Sequence, residues 1–151
     1  MLRGFATISL WAEDVVAAKE WYTEVLGIAP YFERRGPDGR LAYVEFRFGD
    51  YRSELGLIDR RYAPAGHSSG TGGTVVYCHV NDVKAAYDRL LSLGAAEHEA
   101  PTDREEGFIT ASVLDPFGNI LGVMYNPHYL GMLASLTGAA AHGAGQSGSR
   151  G

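Results

Sequence analysis

The stretch 115–125, DPFGNILGVMY, decides how this chain is read. Asp115-Pro116 followed by Phe117-Gly118-Asn119 carries the residues that make tight turns: a rigid φ, a left-handed position and a side chain that bonds its own backbone. The apolar run that follows, bounded by that turn and by Pro127, reads as a strand. A shorter echo lies at 48–58, FGDYRSELGLI, where Phe48-Gly49-Asp50 mirrors Phe117-Gly118-Asn119. Working outward, Asp14, Val15, Ala17 and Ala18 recur as Asp82, Val83, Ala85 and Ala86, 68 positions later. Gly27 recurs as Gly94 at a spacing of 67, and the Phe-Gly pair at 69. Landmarks that keep register to within one residue over such a span indicate two copies of one unit. Two copies of this length are not a solenoid.

Each unit reads β-α-β-β-β. In the first, residues 5–12 alternate, with Ile8, Leu10 and Ala12 on one side and Thr7, Ser9 and Trp11 on the other. Asp14 caps a helix whose stripe is Val15, Ala18, Tyr22 and Val25, and Gly27 stops it. Strands are expected over 31–34, 41–48 and 51–58. Residues 63–73, APAGHSSGTGG, have almost no side chain able to anchor a core and read as a linker. The pattern then restarts, with a strand over 74–80, a helix from Asp82 to about Leu93, and strands over 96–99, 107–114 and 119–125. The expected organisation is a first βαβββ module over 1–62, the linker, and a second module over 74–127. A short helix over 128–136 and an unstructured tail over 137–151 follow. Two such open sheets each expose a face, so they pair as one α+β domain and enclose a central cavity.

Composition bounds the partners. The chain has 151 residues, 46% hydrophobic and 21% charged, with a net charge of −5. That charge disfavours binding to a nucleic-acid backbone, which requires clustered Lys and Arg. The single Cys78 excludes an internal disulfide framework and lies in an apolar run as a buried thiol. No run approaches the ~20 apolar residues that cross a bilayer. The expectation is a cytoplasmic protein with neither nucleic acid nor membrane as partner.

Paired βαβββ modules, strand-Asp-helix-Gly openings and DPFGN before the last strand together resemble the vicinal-oxygen-chelate superfamily. That group contains glyoxalase I, extradiol dioxygenases and fosfomycin- and bleomycin-resistance proteins. The resemblance covers about residues 2–127 and implies an open barrel of paired modules. Its metal-dependent members place a His in the first strand of each module, seven residues before the capping Asp, and acids in the closing strands. Here Thr7 and Val75 hold the His positions, and Gly122 stands where the final Glu is expected. Glu54 alone remains as an acidic ligand, and one carboxylate does not hold a divalent ion. The resemblance therefore implies no metal cofactor and none of the usual metal chemistry. Related proteins commonly dimerise, which implies a homodimer.

The strand faces turned away from the helices are expected to line the cavity with Thr7, Ser9 and Trp11 from one module and Tyr77 and His79 from the other. Tyr43, Glu45, Glu54 and Met124 join them by alternation. A lining of this kind suits a small molecule. One reading is a metal-independent binding protein similar to the bleomycin-resistance branch, stacking an aromatic or cationic metabolite or antibiotic on Trp11 and Tyr77, with Glu54, Glu45 or His79 orienting polar groups. The alternative is an isomerase, epimerase or lyase with His79 and Glu54 as its acid-base pair. His67, Arg34-Arg35 and Arg60-Arg61 read as solvated.

Overall fold

The computed structural model describes residues 2–67 and 70–144, with the backbone alone for 139–144. The first module runs β1 (Thr7–Ala12), α1 (Val15–Leu26), β2 (Phe32–Arg35), β3 (Leu41–Phe48) and β4 (Ser53–Asp59). The second runs β5 (Val76–His79), α2 (Val83–Ser92), β6 (Ala96–Asp103), β7 (Ile109–Leu114) and β8 (Ile120–Tyr125), and α3 (Pro127–Ala144) follows. The two sheets repeat one topology, β1-β4-β3-β2 and β5-β8-β7-β6. In each, the first and last strands are parallel and the other pairs antiparallel. Both sheets are open, as the pairing of modules requires.

The repeat is written in the caps. The Asp14 carboxylate accepts from the Ala17 N–H at 3.0 Å, and that of Asp82 from Ala85 at 2.9 Å. Each satisfies one of the N–H groups that a helix start leaves without an internal partner. Gly27 ends α1 at φ 68°, a left-handed conformation that side chains resist, and Gly94 follows α2 at φ 95°. The alternation of β1 holds. Leu10 and Ala12 are buried beneath α1 with Val15, Ala18, Tyr22, Val44, Phe46 and Leu57. Val83, Tyr87 and Leu90 of α2 pack in the same way on Ala111, Val113, Leu121 and Val123, and one continuous core runs through both modules.

The modules are joined by polar contacts around the 115–119 turn. Asp115 is 4% exposed, and its carboxylate accepts from the Phe117 N–H (2.9 Å), the Asn119 N–H (2.8 Å), Asn119 Nδ2 (3.0 Å) and the Tyr22 hydroxyl of α1 (2.7 Å). Burial and the neighbouring Asp115 push the Tyr22 hydroxyl well above its ordinary range, so it stays a donor. Asn119 also donates to the Trp11 carbonyl at 3.0 Å, and Trp21 Nε1 donates to the Leu93 carbonyl at 2.8 Å.

Two expectations need correction. The strand expected over 96–99 extends to Asp103 despite Pro101. It is an edge strand with two register shifts, where a missing ladder N–H is tolerated. The chain beyond 136 is not an unstructured tail as far as Ala144, because α3 continues through it. Asn126 Oδ1 accepts from the N–H groups of His128 (2.9 Å) and Tyr129 (3.1 Å), and Pro127 suits a helix start. Together with the Ala and Leu that follow, this makes a better helix than the scarcity of bulky residues suggests. Residues 145–151 lie outside those described. Among the described residues no helix is long and apolar enough to cross a membrane.

Replacing Tyr22 by Phe removes one hydrogen bond to a buried carboxylate without changing the packing. Urea denaturation is expected to show a loss of about 1.5–3 kcal/mol, with the m-value unchanged.

Candidate functional site

A cavity of about 690 Å³ lies between the modules. Ile8 and Leu10 of β1, Val25 and Leu26 of α1, Val76, Cys78 and Val80 of the second module, and Ala86 and Leu90 of α2 give it apolar walls. Burial pushes the Cys78 thiol up, so it remains a small apolar neutral group. Arg47, Glu54, Arg89, Tyr77, His79 and Tyr129 supply the polar groups. Tyr77 and His79 reach in from the face expected from alternation, but the apolar walls come from the strand faces that pack toward the helices. The cause is the helix-side contact of the modules, which turns those faces toward one another.

The nine expected lining residues consequently separate. Glu54, Tyr77 and His79 line this cavity. Ser9 and Trp11 line a second cavity of about 590 Å³, where Trp11 packs against His67 with ring centroids 5.1 Å apart. Stacking one ligand between Trp11 and Tyr77 is thus not the arrangement that the fold offers, and His67, exposed as expected, is also an aromatic neighbour of Trp11.

Thr7, Tyr43 and Glu45 belong to the outer face of the first sheet. There Glu45 accepts from the hydroxyls of Thr7 (3.2 Å) and Tyr31 (2.8 Å). The Tyr31 hydroxyl is pushed up to about 12, chiefly by that bond, and burial with Glu45 raises Tyr43 further. Met124 pairs in register with His79 and lines neither cavity.

The register also revises which residues correspond. Ser9 pairs with Gly56 and Tyr77 with Gly122, so Gly56 rather than Glu54 is the first-module counterpart of Gly122. The chain takes seven steps from Gly49 to Gly56 but four from Gly118 to Gly122, an insertion that the matching Phe-Gly pairs conceal. Each glycine lies under a tyrosine ring. A Cβ at Gly122 would stand 2.5 Å from Tyr77 Cδ1, and one at Gly56 2.8 Å from Tyr43 Oη. A carboxylate side chain has no room at either position. Among the described residues no three His, Cys, Asp or Glu side chains converge. With Thr7 bonded to Glu45 and Glu54 and no donor on Val75, these residues do not fit the divalent ion that the fold family implies.

The acid-base pair can be judged from its bonds. Glu54 is held by Arg47 through Nε at 3.1 Å and through Nη2. The guanidinium keeps the Glu54 carboxyl below the usual carboxylate range, so it is ionised near neutrality and has no proton to give. His79 Nδ1 accepts from the Asn126 N–H at 3.1 Å. In the neutral ring Nε2 therefore carries the hydrogen, and no lone pair is left to act as a base. Nε2 is buried without a partner among the described residues, and the ring stacks on Tyr129 at 4.6 Å and 12°. Sequence reasoning overlooked Tyr129, whose hydroxyl also reaches Asp50 at 3.0 Å, since the residue lies beyond the repeat.

Comparison with known proteins agrees with this architecture. The family model described as Glyoxalase/Bleomycin resistance protein/Dioxygenase superfamily matches residues 4–123. An uncharacterised protein of Mycobacterium bovis is 31% identical over 116 residues, covering 73% of this chain and 75% of that protein. A glyoxalase-related enzyme from Fulvimarina pelagi superposes with a TM-score of 0.66 at 22% identity, covering 83% and 90% of the two chains. A superfamily member from Sphaerobacter thermophilus gives 0.66 at 18% identity, over 83% and 98%. At these identities the structures speak for the fold alone.

Gly122→Ala is expected to destabilise the chain by about 1–3 kcal/mol through overpacking. Most of that loss is expected to vanish in a Tyr77→Ala background, as thermal denaturation of the double-mutant cycle will show.

Proposed function

We propose, from the premise that the chain belongs to the glyoxalase/bleomycin resistance protein/dioxygenase superfamily, that it is a binding protein that holds a small molecule between its modules without a metal. One observation carries the reading: a cavity of about 690 Å³ with apolar walls from both modules and a few polar groups. That volume is in the range of pockets that bury most of a drug-sized molecule. The driving force is removal of the ligand's apolar surface from water against Leu10, Val25, Leu90 and Val123. Orientation falls to the Arg47–Glu54 pair, to Arg89 and to the tyrosines. Glu54 and Tyr77 favour a ligand with a cationic or aromatic part, since an ionised carboxylate and a half-exposed ring both attract one.

The acid-base alternative is less well supported. Its proposed acid is held ionised by Arg47, and its proposed base already spends its lone pair on Asn126. Assembly as a homodimer in the cytoplasm belongs to this reading as well.

Thermal-shift screening of the purified chain against neutral, cationic and anionic aromatic compounds is expected to find a ligand that mass spectrometry recovers unchanged. Ala86→Phe fills the cavity and is expected to weaken that ligand about tenfold or more. Chemical alteration of the ligand that His79→Ala prevents would establish the enzyme instead. One divalent ion per chain, found by elemental analysis of protein purified without chelator, would overturn the metal-free part.

A further inference from the structure

The second cavity is used by nothing described so far, and it lies where the linker passes β1 and the 115–119 turn. Trp11 forms one wall, and the Asn119 side chain fixes its backbone by donating to its carbonyl. His67 packs against the indole with the rings tilted at 56°. Arg60, the first residue of the 3-10 turn Arg60–Tyr62 after β4, lines the same space. Its neighbour Arg61 is neutralised twice, by Asp59 at 2.7 Å and by Asp38 at 2.8 Å. Arg60 pairs with no carboxylate among the described residues. Among the described residues its Nη2 donates only to the Phe117 carbonyl, at 3.2 Å, and its buried Nε has no partner.

A guanidinium partly withdrawn from water, with a buried N–H unused and no counter-charge, carries a desolvation cost that an anion in the cavity would offset. Guanidinium groups match the planar fork of a carboxylate better than a spherical ion. The indole beside it is a flat apolar surface that an aromatic ring covers well. We propose that this cavity is a binding site for a small aromatic carboxylate. The carboxylate pairs with Arg60 and the ring lies against Trp11. The site shares Ile8, Leu10 and Val76 with the cavity of about 690 Å³, but Trp11 and Arg60 line this one alone.

Trp11 and Trp21 are the chain's two tryptophans, and the Trp21 indole N–H is already bonded to Leu93. They give two indole signals in a ¹H–¹⁵N spectrum of the full chain, which Trp11→Phe assigns. Titration with benzoate is expected to shift the Trp11 signal saturably and leave that of Trp21 in place. Benzyl alcohol, which keeps the ring and loses the charge, is expected to give no shift, and so is inorganic phosphate. Arg60→Gln is expected to weaken benzoate about tenfold or more, as loss of a charge-assisted bond implies. The proposal is overturned if benzoate leaves Trp11 unmoved, if benzyl alcohol or phosphate binds as well, or if a folded Arg60→Gln chain keeps its affinity. The comparison with benzyl alcohol uses the unaltered chain and decides the matter even if the variant does not fold.

Discussion

Everything in this chain leans on one buried carboxylate. Asp115 is withdrawn from water and holds four donors, three from its own turn and one from the Tyr22 hydroxyl of the other module. A charge in that position is tolerated only while its lone pairs are filled. The turn, the entry into β8 and the seating of α1 against the second module are therefore fixed together. Asn119 extends the same network to the Trp11 backbone, so one turn positions walls of both cavities.

This constraint also determines which surfaces face each other. With α1 fastened at Asp115 and at Leu93, the modules meet on their helix sides, and the space between them inherits core-like walls. The sheet faces that carry Thr7, Tyr43 and Glu45 are left pointing outward with their own hydroxyl–carboxylate network. The polar residues that do reach the inter-module cavity are already committed, Glu54 to Arg47 and His79 Nδ1 to Asn126. Groups held in this way are poorly placed to move a proton.

Much of the fold was legible in sequence because it rests on local chemistry. The Asp caps, the stopping glycines and the alternation of β1 each act within a few residues of chain. The site was less legible. Alternation places Thr7, Ser9 and Trp11 on one side of a strand correctly, yet it contains no information about which side another module will cover. The Phe-Gly pairs align at a spacing of 69, and only strand pairing exposes the three-residue insertion behind them that makes Gly56 the counterpart of Gly122. Arg60 and Arg61 are indistinguishable as a basic pair, since what separates them is that Asp38 and Asp59 reach one and not the other.

The sequence by itself determined the two βαβββ modules and put Thr7, Val75 and Gly122 where the family's metal ligands are expected, because these follow from residue type and short-range spacing. Tertiary structure alone decided where the cavities lie, that tyrosine rings cover Gly56 and Gly122, and which nitrogen of His79 accepts from Asn126. Those depend on contacts between residues far apart in the chain, whose distances are set when the buried Asp115 closes the modules upon each other.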